Sequence, residues 1–96
     1  MPKVYIINES AHNFSATKKY GKAIYLSKGL MDRYATTNIH RQFDKFLKDS
    51  KAEDYIVLCS LNVMNAIACS IFVAKHRTLN LLLYKKGGYI ERNLVI

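Results

Sequence analysis

Tryptophan is absent from these 96 residues, proline occurs once, cysteine twice, glycine four times, and aspartate and glutamate together seven times. The four glycines form neither G-x-G-x-x-G nor G-x-x-x-x-G-K-[ST]. Gly21 and Gly29 are single turn glycines, so no dinucleotide or P-loop motif is supported. Cys59 and Cys69 lie in apolar runs, with no C-x-x-C pair and no histidine at zinc spacing. They read as buried free thiols, which suit a reducing compartment, and no metal or cofactor is expected. Among the acids Glu9, Asp32, Asp44, Asp49, Glu53, Asp54 and Glu91, no pair is spaced for a metal nuclease or a glycosidase. Asp44, Asp49, Glu53 and Asp54 are expected on or beside exposed turns.

Long hydrophobic runs are also scarce. Met1-Pro2-Lys3-Val4 is not followed by the apolar stretch of a secretory signal, so a cytoplasmic location is the expectation. Tyr55 to Ala74 is uncharged and about as long as a membrane span. Ser60, Asn62, Asn65 and Ser70 interrupt it, and Ser60-Leu61-Asn62 reads better as a strand-to-helix junction than as the middle of a bilayer segment. No membrane association is expected. Low-complexity segments and internal repeats are missing, and half the residues are hydrophobic, so a single globular domain over 1–96 is expected.

What is present is organised around Asp54–Tyr84. Tyr55–Cys59 is a continuous apolar run, Ser60 is placed to cap a helix, Leu61–His76 carries that helix, and Leu79–Tyr84 is apolar again. Two buried strands joined by such a helix must lie parallel in one sheet. Upstream, Lys3–Asn8 predicts a first strand, Ser15–Gly21 a short helix, and Ala23–Leu26 a second strand. A helix follows from about Thr37 to Lys48, with Ile39, Phe43, Phe46 and Leu47 on one face. Downstream, Tyr84–Tyr89 reads as a glycine-bearing hairpin turn and Ile90–Ile96 as an antiparallel edge strand. The predicted class is α/β, a small Rossmann-like, mostly parallel sheet ordered β-short α-β-α-β-α-β-β with a C-terminal antiparallel edge hairpin. The helix Leu61–His76 is apolar nearly all round. It is expected either between the sheet and another helix or against a second copy of the chain.

In open α/β sheets, ligands bind beyond the carboxyl ends of the parallel strands. That rule gathers Asn8, Ser10, His12, Ser27, Lys28, Ser60 and Asn62 as candidate binding residues. Ser60 reads first as a helix cap, since it lacks the glycines of a nucleophile elbow. His12, in a loop of small polar residues, is the one candidate for proton transfer, and surface decoration is its plainer reading. His40 and His76 read as structural. The formal charge is +8, and Lys18, Lys19, Lys22, Arg33 and Arg41 crowd one segment with Tyr20, Tyr25 and Tyr34 between them. Cations follow phosphates and aromatic rings stack on bases, so a nucleic-acid or nucleotide partner is expected. The plainer alternative leaves Tyr20 and Tyr25 in the core and the lysines as ordinary surface.

The runs Val4-Tyr5-Ile6-Ile7-Asn8-Glu9-Ser10-Ala11-His12-Asn13-Phe14-Ser15, Lys19-Tyr20-Gly21, Asp54-Tyr55-Ile56-Val57-Leu58-Cys59-Ser60-Leu61 and Leu79-Asn80-Leu81-Leu82-Leu83-Tyr84, with the late Arg92, resemble small uncharacterised α/β proteins of tailed bacteriophages. The resemblance covers nearly the whole chain and brings no assigned activity with it. It implies a phage protein acting in the bacterial cytoplasm. Three kinds of function follow: a non-catalytic nucleic-acid or nucleotide binding module, a protein–protein interaction factor that dimerises through Leu61–His76 or Ile90–Ile96, and a small enzyme using His12 on a phosphorylated substrate.

Overall fold

The computed structural model describes residues 1–10 and 12–96; Ala11, in the loop expected after the first strand, lies outside the described residues. Five strands form one sheet: β1 (Lys3–Ile6), β2 (Lys22–Tyr25), β3 (Tyr55–Val57), β4 (Thr78–Lys85) and β5 (Gly88–Val95). Their order across the sheet is β2-β1-β3-β4-β5. The first four are mutually parallel, and β5 returns antiparallel to β4. Two helices, α1 (Thr36–Leu47) and α2 (Asn62–His76), and a 3₁₀ turn at Ser15–Thr17 make the crossovers.

The path β1 to β2 runs one way across the sheet, and every later step runs the other way. Right-handed crossovers therefore send the 3₁₀ segment to one face and both helices to the opposite face. The core divides accordingly. On the helical face Tyr5, Ile7, Ile56 and Leu79 meet Ile39, Phe43 and Leu47 of α1 and Met64, Ala68, Ile71 and Phe72 of α2. On the other face Val4, Ile6, Val57 and Leu82 are covered by Phe14, Tyr20 and Tyr89 instead of a helix. Period-2 alternation along β1 sends Tyr5 one way and Val4 and Ile6 the other.

The expected elements are present with five corrections. The short helix contracts to one 3₁₀ turn, because the Thr17 hydroxyl bends back to donate to the Phe14 carbonyl at 2.7 Å. Ser60 is not the cap of α2. Leu61 occupies that position, and Ser60 adopts left-handed backbone (φ 64°) so that the chain can turn out of β3. The Asn65 carboxamide oxygen, reaching back from the first turn of α2, accepts the Cys59 N–H at 3.1 Å and holds the bend. Phe46, grouped with the buried face of α1, is exposed. Helix α2 lies on the sheet and against α1 but still presents Asn62, Ala66, Ser70 and Ala74 to water. Those side chains are small, so little apolar area is left uncovered.

Asp54 is the fifth correction. It is only 2 % exposed, accepting the Lys3 N–H at 2.9 Å and the Lys51 N–H at 2.7 Å. Its carboxylate ties the entry of β3 to the start of β1. The same end of the molecule needs Gly21, where a Cβ would stand 2.0 Å from the Pro2 carbonyl oxygen.

Candidate functional site

The direction of winding reverses between β1 and β3, and this is where an open α/β sheet leaves a crevice beyond its carboxyl edge. Three depressions adjoin there. The first, about 380 Å³, is lined by Arg33, Tyr34 and the stretch from Ser60 to Val63. The second, about 310 Å³, shares Ser60 and adds Ser10, His12, Phe14, Leu58, Cys59, Tyr84 and Tyr89. The third, about 350 Å³, shares Ser10, His12 and Phe14 and adds Glu9, Lys18 and Tyr25. Because each shares residues with the next, they form a run from Tyr34 at the edge to Lys18 on the non-helical face.

The residues expected at this edge have separate fates. Asn8 and Ser27 are buried: the Asn8 amide donates to the Ser27 hydroxyl at 2.8 Å and to the Gly29 carbonyl at 3.0 Å, and the Ser27 hydroxyl donates to the Ile7 carbonyl at 2.7 Å. They clamp the ends of β1 and β2 together and have no face left for a ligand. Backbone pairing continues past the clamp, with Glu9 N–H on the Ser27 carbonyl at 2.8 Å, which leaves the Lys28 side chain outside in water. Ser10 and His12 line the second and third depressions, the Ser10 hydroxyl accepting the His12 N–H at 3.3 Å. Ser60, Asn62 and Arg33 come together at the amino end of α2. Its first turn holds no acidic residue; the Met64 and Asn65 N–H groups donate to the Leu61 carbonyl, and those of Asn62 and Val63 have no partner among the described residues.

The cations expected to act as one cluster are dispersed. Arg33 lines the first depression at the carboxyl edge, and Lys18 lines the third, which continues from Glu9 and Ser10 over the non-helical face to Ala23. Lys19 sits 5.2 Å above the Tyr20 ring, and Lys22 opens β2 at the opposite edge of the sheet. Arg41 lies on the outer face of α1, in a separate groove with Gln42, Asp44, Lys45 and Phe46. In their place the fold supplies Lys85 and Lys86: β4 runs parallel to β3, so the turn leaving β4 projects at the carboxyl edge. The acidic segment Asp49, Glu53 and Asp54 enters β3 and so falls at the other end. Lys3, Lys22 and Lys51 enter their strands at that same end, so both ends of the sheet carry cations.

Aromatic rings furnish the walls. The His12 ring meets Phe14 edge-on at 4.9 Å and Tyr84 at 5.1 Å, and Tyr84 meets Tyr89 at 5.5 Å. Tyr34, at 85 % exposure, stands free beside Arg33. Tyr34 is one of the rings read between the cations in the sequence, whereas Tyr84 escaped that reading as a site residue. The period-2 alternation of β4, which puts Tyr84 on the same face as Leu82, was the available signal for the latter. Tyr89 is 7 % exposed and its hydroxyl is buried with no hydrogen-bond partner among the described residues. Burial pushes its phenol above the usual range, and Cys59, Tyr84 and Tyr25 add to the shift. Burial likewise pushes the thiols of Cys59 and Cys69 up, which keeps them protonated and unreactive at neutral pH.

Chemically, the edge can receive phosphates at α2, Arg33 and the lysines, and flat rings at Tyr34, His12 and Tyr84. Among the described residues no group of His, Cys, Asp and Glu side chains is arranged to hold a metal ion, and no helix is long and apolar enough to cross a membrane. His12 and Ser60 share a depression without a hydrogen bond between them. A family model described as phage Pam3 gp32-like protein matches residues 2–95, in accord with the resemblance seen in the sequence. No curated protein and no solved structure gave a match.

Proposed function

Starting from the fact that this chain belongs to the phage Pam3 gp32-like protein family, we propose that it is a non-catalytic phage module that binds single-stranded nucleic acid across its carboxyl edge. The observation carrying this reading is the run of three adjoining depressions lined by Tyr34 with Arg33, then Tyr84 with His12, then His12 with Lys18, with Lys85 and Lys86 in and beside the turn that leaves β4 at the carboxyl edge. Stacked bases need rings at intervals, and the backbone between them needs positive charge. A single nucleotide would fill one depression, and the continuity of the three favours a strand. The charge of +8 supports the same partner, and free thiols fit action in the host cytoplasm.

Fluorescence anisotropy with labelled DNA and RNA strands of about 10 nucleotides tests the reading. Dissociation constants of about 1–100 µM at low salt are expected. Arg33→Ala and the pair Lys85→Ala with Lys86→Ala should each weaken binding by about 3- to 10-fold, whereas Arg41→Ala, on the outer face of α1, should leave it unchanged. Dissociation constants that stay above about 1 mM at low salt, or equal losses in the Arg41 variant, would sink the proposal.

A further inference from the structure

The three depressions differ in what lines them. Arg33 stands in the first and Lys18 in the third, whereas the described lining of the second includes no lysine, arginine or carboxylate. Its walls are largely apolar or aromatic, among them Phe14, Val57, Leu58, Tyr84 and Tyr89. At about 310 Å³ it is at the small end of ligand sites, with room for a single ring system. An uncharged, flat group suits it better than a phosphate, whose loss of hydration no fixed charge there would offset.

Tyr89 adds a direction. It is 7 % exposed, packs on the non-helical face with Val57 and Leu82, and its hydroxyl is buried with no hydrogen-bond partner among the described residues. Cys59 and Tyr84, which line the second depression, and Tyr25, which lines the third, are the groups whose charge bears on that phenol. The hydroxyl end of the ring therefore lies at the depression, away from its root on β5. Burial holds the phenol above its ordinary pKa, so at neutral pH it is protonated and offers a donor. A buried O–H donor beside an uncharged cleft calls for a ligand that carries an acceptor.

We propose that the second depression is a base-reading pocket, which takes one base of the bound strand and selects a keto group through the Tyr89 hydroxyl. The inference rests on the single-strand reading above and adds to it a preference among bases. A base that enters from its sugar leads with the position farthest from that sugar, which bears a keto oxygen in thymine, uracil and guanine and an amino group in cytosine and adenine. The keto oxygen accepts the phenol O–H. A phenol oxygen that accepts from an amino group leaves its own proton unmet, so the amino bases bind more weakly. The flanking cations agree with this placement, since phosphates on either side of the base fall toward Arg33 and Lys18. The rings of His12 and Tyr84, which meet edge-on at 5.1 Å in the wall, are both exposed and can turn aside to admit the base.

Anisotropy with labelled oligodeoxyuridylate and oligodeoxycytidylate of about 10 nucleotides tests the inference, because the two strands differ chiefly in the keto or amino group opposite the sugar. The wild-type chain should bind the uridine strand about 3- to 10-fold more tightly than the cytidine strand. Tyr89→Phe keeps the ring, should fold with unchanged circular dichroism, and should erase the preference by weakening the uridine strand. Arg33→Ala should weaken both strands by the same factor, as a phosphate contact does. Strand binding with no preference for uridine, or a preference that survives Tyr89→Phe, would overturn the inference and leave single-strand binding standing. Failure to bind either strand would overturn both.

Discussion

At Tyr89 a phenol oxygen is buried without a partner among the described residues, and an unmet hydroxyl costs about 1–3 kcal/mol of desolvation. Tyr89→Phe keeps the ring against Tyr84 and removes the cost. It should stabilise the fold by about 1 kcal/mol, read as a rise of about 4–8 °C in melting temperature by circular dichroism. A fall of the melting temperature would mean that the hydroxyl is satisfied in solution. Legibility in the sequence failed most often at this scale. Asn8, Ser27 and Ser60 are polar residues at strand ends, and composition alone does not distinguish a buried clamp from an exposed ligand group. The partners of Asn8 and Ser27 lie about 20 residues away in sequence, out of reach of any local pattern. Asp54 misled for the same reason, since its partner at Lys3 arrives from the far end of the chain.

Elements were more legible, because hydrophobic period survives without knowledge of partners. The apolar runs Tyr55–Cys59 and Leu79–Tyr84 did become adjacent parallel strands, and the spacing of Ile39, Phe43 and Leu47 did mark the buried face of α1. What period cannot show is how elements are fastened. Helices α1 and α2 are joined at their carboxyl ends by His76, whose Nε2 lies 2.8 Å from the Ser50 hydroxyl. That hydroxyl donates to the Leu47 carbonyl at 2.7 Å, so it accepts from a protonated Nε2, and the ring rests against Phe72. Burial, helped by Lys75 and opposed by Asp54, lowers the His76 pKa below its ordinary value. The unfolded chain therefore takes up the proton first. The contribution is fully present above about pH 6.5 and is lost as pH falls through the folded value. Urea midpoints measured between pH 7.5 and 5 should decline, and His76→Gln should flatten that decline. In the hairpin, Lys86 occupies a left-handed position that asparagine tolerates better. Lys86→Asn should raise stability by about 0.5 kcal/mol in the same assay, with one nearby cation removed from the site.

At the scale of the whole molecule, one face of the sheet carries two helices and the other a single 3₁₀ turn with its aromatic cover, and the thinnest dimension is 19 Å. That is about two layers of structure, since packed layers lie about 10 Å apart. The gathering of Lys28, Arg33, Lys85 and Lys86 at the carboxyl edge is also a whole-molecule property, invisible in a net charge and settled only when four parallel strands bring their ends together. It predicts that binding should weaken steeply with salt, with a slope reduced by about one for each cation removed at the carboxyl edge and unchanged for Lys22→Ala at the other edge. The position of β1 has a consequence of another kind. It leaves the ribosome before the other four strands of the sheet, yet it lies between β2 and β3, the latter about 50 residues downstream. Until β3 emerges, β1 has only one neighbour, whereas β4 and β5 can close their hairpin locally within microseconds. The earliest of the five strands therefore emerges before its permanent place exists. The slow step of folding should be its enclosure between neighbours made later, the long-range pairing that chain entropy penalises most.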